Sequence, residues 1–163
     1  MISFRNVVGY FETIASKHLQ INSFHSGMMD EVDINKLGAI DYIILYAEPG
    51  SAVINQGVLT YTFTIYVMDM INDEVGDAPN KQRLGRVDTY SETLNILQDV
   101  IAEFKHSLVT ASWVDSEVVL QLPITAEPFT ARFNNLLTGW SANISVDVNN
   151  KNNLCIAPIT ANS

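Results

Sequence analysis

Between Val58 and Asp69 apolar and polar positions alternate without a break. Leu59, Tyr61, Phe63, Ile65 and Val67 fall on one side of the alternation, and Thr60, Thr62, Thr64 and Tyr66 on the other. Side chains along a β-strand repeat every two residues. The segment therefore predicts a strand with one face in the core and a threonine face turned to water or to a partner. Threonine suits such a strand because β-branching fits the pleat. The same period recurs later, where Trp140, Ala142, Ile144, Val146 and Val148 alternate with Ser141, Asn143, Ser145, Asp147 and Asn149. Asp41 to Ala47 is apolar on both faces, the pattern of a central strand. Glu117 to Leu122 reads as a further strand, stopped by Pro123. Glu48-Pro-Gly-Ser51 and Gln56-Gly57 are turn signals with a short strand, Ala52 to Asn55, between them, and Ala126 to Phe129 breaks the chain again.

Two segments have the helical period instead. Phe4, Val7, Val8, Phe11, Ile14, Ala15 and His18 form one apolar stripe, with Ser3 placed to cap it. Thr89 to Glu103 opens with a capping box, Thr89 and Glu92, and its apolar positions Tyr90, Leu94, Leu97, Ile101, Phe104 and Leu108 continue past it. That spacing would also seat a coiled-coil seam, but the strands on either side favour a helix lying across a sheet. Leu19 to Gly27 forms a short extended piece anchored by Ile21 and Phe24, followed by an acidic connection, Asp30 to Asp33. Residues 72–88 form a long polar loop, Val109 to Trp113 a connection, and 149–163 a C-terminal tail in which Leu154 to Pro158 docks as an edge segment. The expected fold is a single α+β domain over residues 1–163. Its antiparallel or mixed sheet has about four to six strands and is packed by two main helices.

A chain of 163 residues suffices for one sizeable core. Hydrophobic residues make up 47% and charged residues 17%, a low charge content that fits apolar surface covered by partners. The formal charge of -9 argues against a grip on nucleic acid, which needs clustered Lys and Arg. The one local concentration of basic residues, Lys81, Arg83 and Arg86, shares its loop with Asp73, Glu74, Asp77 and Asp88. A single cysteine, Cys155, excludes a disulfide framework and any multi-cysteine metal site, and its apolar surroundings do not activate a thiol. No leader pattern opens the sequence, and no apolar run reaches the ~18 residues that span a bilayer. The expectation is a soluble protein made in a cytoplasm.

The chemistry-bearing residues do not assemble into a motif. His18, His25 and His106 lack zinc spacing, and a histidine near a helix end is commonly a dipole contact. Asp69, Asp73, Glu74 and Asp77 approach a calcium loop, but without its glycine and closing glutamate. Nucleophile-elbow, phosphate-loop and dinucleotide patterns are absent. No catalytic, cofactor-binding or metal-ligating residue is assigned, and enzymatic activity is not expected. An enzyme would need distant residues such as His25 and Asp30 to converge. A small-molecule binding module with an apolar cavity under the sheet is a second possibility. Trp140, on the regular apolar face, reads as a core residue, whereas Trp113, in a connection, fits core and interface equally.

Several pieces together resemble small virion structural proteins of tailed bacteriophages, particularly of the crAss-like and related Bacteroidetes phages. They are the opening helix with its continuation Ala15 to Phe24, the strand end Tyr66-Val-Met-Asp69, and the helix Thr89 to Phe104 with Ile96-Leu-Gln-Asp-Val-Ile101. The Gly139-Trp140 strand and the closing Leu154-Cys-Ile-Ala-Pro158 complete the set. Phe133 to Thr138 departs from the pattern, which has a more acidic lead-in there. The layout also looks like the tail-terminator and neck-ring class, in which helix-backed sheets assemble into a ring, often hexameric, between tail tube and head. The resemblance implies no cofactor and no catalytic residues. It implies copies of the same chain as partners in a hexameric or higher ring, beside other tail or neck proteins. Genome DNA would only pass through, no membrane would be involved, and the site of action would be the virion, assembled in the host cytoplasm. Interface candidates on that reading are Thr60, Thr62, Thr64, Asp73, Glu74, Asp77, Arg83, Arg86 and Trp113. A tail-tube or baseplate component, stacking rather than capping, is the related alternative.

Overall fold

The computed structural model describes residues 2–28, 42–70, 79–115, 118–132 and 137–151. Its elements run α1 (Phe4–Lys17), β1 (Ser23–Ser26), β2 (Ile44–Ile54), β3 (Val58–Met70), α2 (Pro79–Asp115), β4 (Val118–Leu120), β5 (Ala126–Arg132) and β6 (Leu137–Asn149). Within α2 and β5, side chains are described for residues 87–110 and 126–129. Two helices pack on one six-stranded mixed sheet, an α+β fold, with strand order β1-β2-β3-β6-β4 and β5 also against β6. Only the β1–β2 pair is parallel. The backbone of the sheet is the β3–β6 pair, in unbroken antiparallel register from Val58↔Asn149 to Met70↔Leu137. β4 and β5 share the far side of β6, β4 opposite residues 146–148 and β5 opposite 137–142.

The predicted alternations set the layers. Tyr61, Phe63, Ile65 and Val67 of β3 and Ala142, Ile144, Val146 and Val148 of β6 are buried under the helices. α1 meets them with Val7, Phe11, Ile14 and Ala15, and α2 with Ile96, Leu97, Val100, Phe104 and Leu108. Phe11 ties the layers together. Its ring stacks on Phe104 at 4.3 Å and meets the edge of Phe63 at 5.8 Å. Each such pair adds about 0.5–1.5 kcal/mol beyond the burial itself. Ser3 caps α1 as expected: its Oγ accepts from Asn6 N–H, and Asn6 Oδ1 accepts from Ser3 N–H. Trp140 belongs to the core side, packed against it with Nε1 donating to Tyr90 O at 2.9 Å.

Four segments differ from the sequence reading. Residues 79–88, expected in the polar loop, are the first turns of α2, and 109–113, expected as a connection, belong to its last turns. Pro79 occupies the first helical position, where its missing N–H costs nothing, and Lys, Gln, Arg and Leu carry the helix on. Thr89 is therefore interior rather than a cap, and its carbonyl accepts from Thr93 Oγ1 at 2.6 Å. The expected turn Glu48 to Ser51 lies inside β2, marked only by a register shift between Pro49 and Ala52. Proline is tolerated there because, among the described residues, β1 pairs only with residues 44–47, so this stretch is an edge. Ala126 to Phe129 is likewise part of a strand, with Pro128 opposite Trp140 on another edge. Gln56-Gly57 is a true two-residue turn. Gly57 takes φ 82°, and Asn55 N–H donates to Val58 O at 2.9 Å. The remainder of the expected loop (72–78), the acidic connection and the tail beyond residue 151, Cys155 included, lie outside the described residues.

Candidate interaction surface

The face of the sheet turned away from the helices divides into two halves. At the end where β3 finishes, Ile44, Tyr46, Tyr66, Met68 and Leu137 form a second, smaller buried cluster, with Tyr42 and Phe129 against it. By its alternation Tyr66 falls with the threonines, on a face expected to meet water or a partner. Tyr66 is instead 6% exposed, its hydroxyl 3.1 Å from Glu48 Oε2. Tyr46, fully buried beside it, donates towards Gly27 O and Met28 O at 3.1 and 3.2 Å.

The other half is a polar ladder. The β3–β6 register sets Thr60 opposite Asp147, Thr62 opposite Ser145 and Thr64 opposite Asn143. Each pair is joined through its side chains. Thr60 Oγ1 donates to Asp147 Oδ1 at 2.5 Å, the Thr62 and Ser145 hydroxyls lie 3.4 Å apart, and Thr64 Oγ1 donates to Asn143 Oδ1 at 2.9 Å. Gln121 extends the ladder sideways, its Nε2 reaching both Asp147 carboxylate oxygens at 3.0 and 3.1 Å. Cross-strand hydroxyl and amide pairs of this kind contribute roughly 0.2–1 kcal/mol each. The charged side chains described on the strands of this face, Glu48, Glu127 and Asp147, are all acidic. The three threonines named from sequence therefore come together as one surface. Their partners Asn143, Ser145 and Asp147 belong to it equally, and only the pairing of β3 with β6 could reveal that.

The other sequence candidates do not join this surface among the described residues. Asp73, Glu74 and Asp77 lie outside the description. Arg83, Arg86 and Trp113 stand on α2, so Trp113 belongs to a helix and not to a connection.

A polar contact joins the two helices. His18 ends α1, with Nδ1 accepting from Gln20 N–H and Nε2 3.2 Å from Asp99 Oδ2 on α2. A neutral imidazole protonated on Nε2 satisfies both contacts. A cleft of about 360 Å³ beside it is lined by Ile14, Lys17, His18, Asp99 and Glu103, and one of about 370 Å³ lies between α1 and β1. Both open at the helix layer, not under the sheet. Asp69 sits on the helix side of β3. Burial raises its pKa above the usual carboxylate value and nearby Glu92 adds to the rise, while a bond from Met70 N–H opposes it. His25 has a buried Nε2 without a hydrogen-bond partner. Among the described residues no group of three or more His, Cys, Asp or Glu is placed to hold a metal ion, and no helix is long and apolar enough to cross a membrane.

The sequence matches no family model and no curated protein.

Proposed function

We propose that the protein is a structural component of a tailed-phage virion that assembles with its own copies into a ring at the tail or neck, as a tail terminator or head–tail connector. The observation that carries this reading is the Thr60–Asp147, Thr62–Ser145, Thr64–Asn143 ladder. It makes half of one sheet face hydroxyl-rich and acidic, while the opposite face is packed by both helices. A face whose side chains bond one another, with Asp147 among them, suits the lining of a passage for DNA. Phosphates meet the negative charge of Asp147 there. The charge of -9 over the whole chain acts in the same direction. The sequence resemblance to tail-terminator and neck-ring proteins supplies the setting: a ring of six or more copies, flanked by other tail or neck proteins, assembled in the host cytoplasm and retained in the virion.

Light scattering on the purified protein, with negative-stain images of the same fraction, tests the proposal. Closed rings of about six subunits are expected, since a heterologous contact that closes gives a ring. Stacked tubes would instead indicate a tail-tube component. A monomer at every concentration, with thermal stability that rises on adding a small ligand, would replace the proposal with a binding module.

A further inference from the structure

The edge of β2 beside the β2–β3 turn is open among the described residues. β1 pairs with β2 only over Ile44–Ala47. Beyond β1 the chain leaves that lane. Gly27 N–H donates to Ala47 O, and Gly27 O and Met28 O then face the hydroxyl of Tyr46, which belongs to the cluster on the helix-free side. Asn55 gives its N–H to Val58 O across the turn, so alternation along the strand turns Ile54 and Ala52 outward, away from β3. The N–H and C=O of both residues point away from the sheet, where a strand laid alongside would pair with them.

The side chains of this edge suit an uncharged occupant. Val53 and Ile54 are 48% and 76% exposed. The chain carries no Asp, Glu, Lys or Arg from Pro49 to Met68. The usual protections of an edge strand, an inward lysine or a proline within the segment, are absent from 52–54.

The sequence holds a segment of matching character outside the described residues. Residues 152–163 carry no Asp, Glu, Lys or Arg, whereas 29–41 and 71–78 are rich in acid. Leu154-Cys-Ile-Ala-Pro-Ile159 is apolar, with two β-branched isoleucines that favour a strand. Two copies of charge -9 meet with least repulsion where neither surface is charged.

Proline fixes the parity of the pairing. Pro158 has no N–H, so it belongs at a position that points away from β2. In an antiparallel strand that parity sets Cys155 opposite Ile54 and Ala157 opposite Ala52 as hydrogen-bonded pairs. Ile156 then lies beside Val53 on the same face, and Leu154 beside Asn55.

A chain cannot reach its own edge in this register. Asn150, just past β6, is held by its N–H to Gly57 O at 2.9 Å and by its Nδ2 to Asn55 O at 3.3 Å. From β6 to a new strand outside β2 is three strand spacings, about 14 Å. The links from Asn150 to Leu154 span about 14 Å only when fully straight, and they would have to bend round the hairpin tip. A second copy approaching from outside meets no such limit.

We infer that residues 154–158 of one copy add as an antiparallel strand to residues 52–55 of another. The choice of a second copy rests also on the assembly reading above, and the contact deepens it. Giving and receiving surfaces differ, so the contact is heterologous and repeats around a ring.

Cys155 is the single cysteine of the chain, so one substitution tests the contact. Ile54→Cys stands opposite Cys155 in a hydrogen-bonded pair, where Cα atoms about 5.5 Å apart admit a disulfide. On mild oxidation Ile54→Cys should give a ladder of bands that ends at the ring size and collapses on reduction. The parent should give none, and neither should Val119→Cys on β4, across the sheet. An internal disulfide, with both thiols lost at the mass of one chain, would overturn the contact in favour of a chain covering its own edge. Cross-linking of Val119→Cys in place of Ile54→Cys, or of the parent through Cys155 alone, would overturn it in favour of a different seat for the segment. Rings seen by light scattering without any cross-link would overturn the contact and leave the ring reading standing. Monomers without cross-links would remove both. Ile54→Pro is the second variant. It deletes an outward N–H while leaving the bonds of β2 to β3 intact. It should keep the native circular dichroism and lose assembly, and rings formed by a folded Ile54→Pro protein would likewise overturn the contact.

Discussion

Gly139 is the position where the sheet tolerates least. It lies in β6 opposite Met68, and a Cβ added there would fall 1.8 Å from Val67 O, 2.9 Å from Val67 C and 3.2 Å from Met68 Cα. All three are backbone atoms, so no side chain can swing aside. To restore even a tight contact of about 3 Å, β3 and β6 must separate locally by over an ångström, which breaks ladder hydrogen bonds on both sides of the site. Overpacking of a rigid core costs about 1–3 kcal/mol. For a domain of this size that lowers Tm by about 2–4 °C per kcal/mol. The displacement also reaches α2, because Trp140, the next residue, holds Tyr90 O through its indole N–H. Gly139→Ala should therefore unfold at lower urea concentration than the parent and change tryptophan emission before the main transition. Gly9→Ala is the control. A Cβ there meets nothing within 4 Å, and Gly9 lies inside α1, so alanine should stabilise by about 0.5–1 kcal/mol. Urea titration followed by fluorescence reads both. A Gly139→Ala protein with the parent's midpoint would refute the close approach of the two central strands.

Asp69→Asn bears on pH. Burial raises the Asp69 pKa, so the fold favours its neutral form; that contribution is complete below the unfolded value near 3.8 and disappears as pH rises through the folded pKa. Asparagine is neutral throughout and can still accept from Met70 N–H, so the variant should be more stable than the parent at neutral pH and lose less stability as pH rises from about 3.8 through the folded Asp69 pKa; destabilisation at neutral pH would contradict this. Ser3→Ala removes the hydroxyl that accepts Asn6 N–H and should cost about 1 kcal/mol in thermal unfolding, with Ser3→Asp restoring most of it. Trp140→Phe keeps the ring against Tyr90 but removes the donor to Tyr90 O, a loss of about 1 kcal/mol by denaturant titration.

Both long strands and α1 are legible in the sequence because each carries its period over many residues, the strands being buried on both faces only near the end where β3 finishes. The errors fall where a local signal is overridden by position in the sheet. Pro49-Gly50 reads as a turn, yet an edge has no use for the proline N–H. Gly50 also packs so close to Thr62 O that a Cβ would lie at 3.0 Å. Pro79 to Asp88 reads as loop because its charges and Gly85 hide a sequence of good helix formers behind an N-terminal proline. The second buried cluster had a visible cue, since Asp41–Ala47 is apolar on both faces, but its neighbours Met68 and Leu137 lie in strands that otherwise alternate. The ladder was half legible. The threonines stand out in β3, while their partners on β6 are assigned only by the register of two strands some eighty residues apart. The contact of His18 with Asp99 depends in the same way on the docking of α1 against α2.

On the proposed ring reading, the threonine ladder is the part of the sheet least suited to hold a partner. A hydroxyl already bonded to its cross-strand neighbour gains little from a new partner and loses hydration when covered, so the Thr60, Thr62, Thr64 surface is a poor adhesive for protein. Its acidic neighbours make it a poor adhesive for nucleic acid as well. In the proposed ring the helix-free face is the one that fits the narrower inner circumference, because α1 and α2 occupy the opposite face, so the threonine ladder would line the lumen.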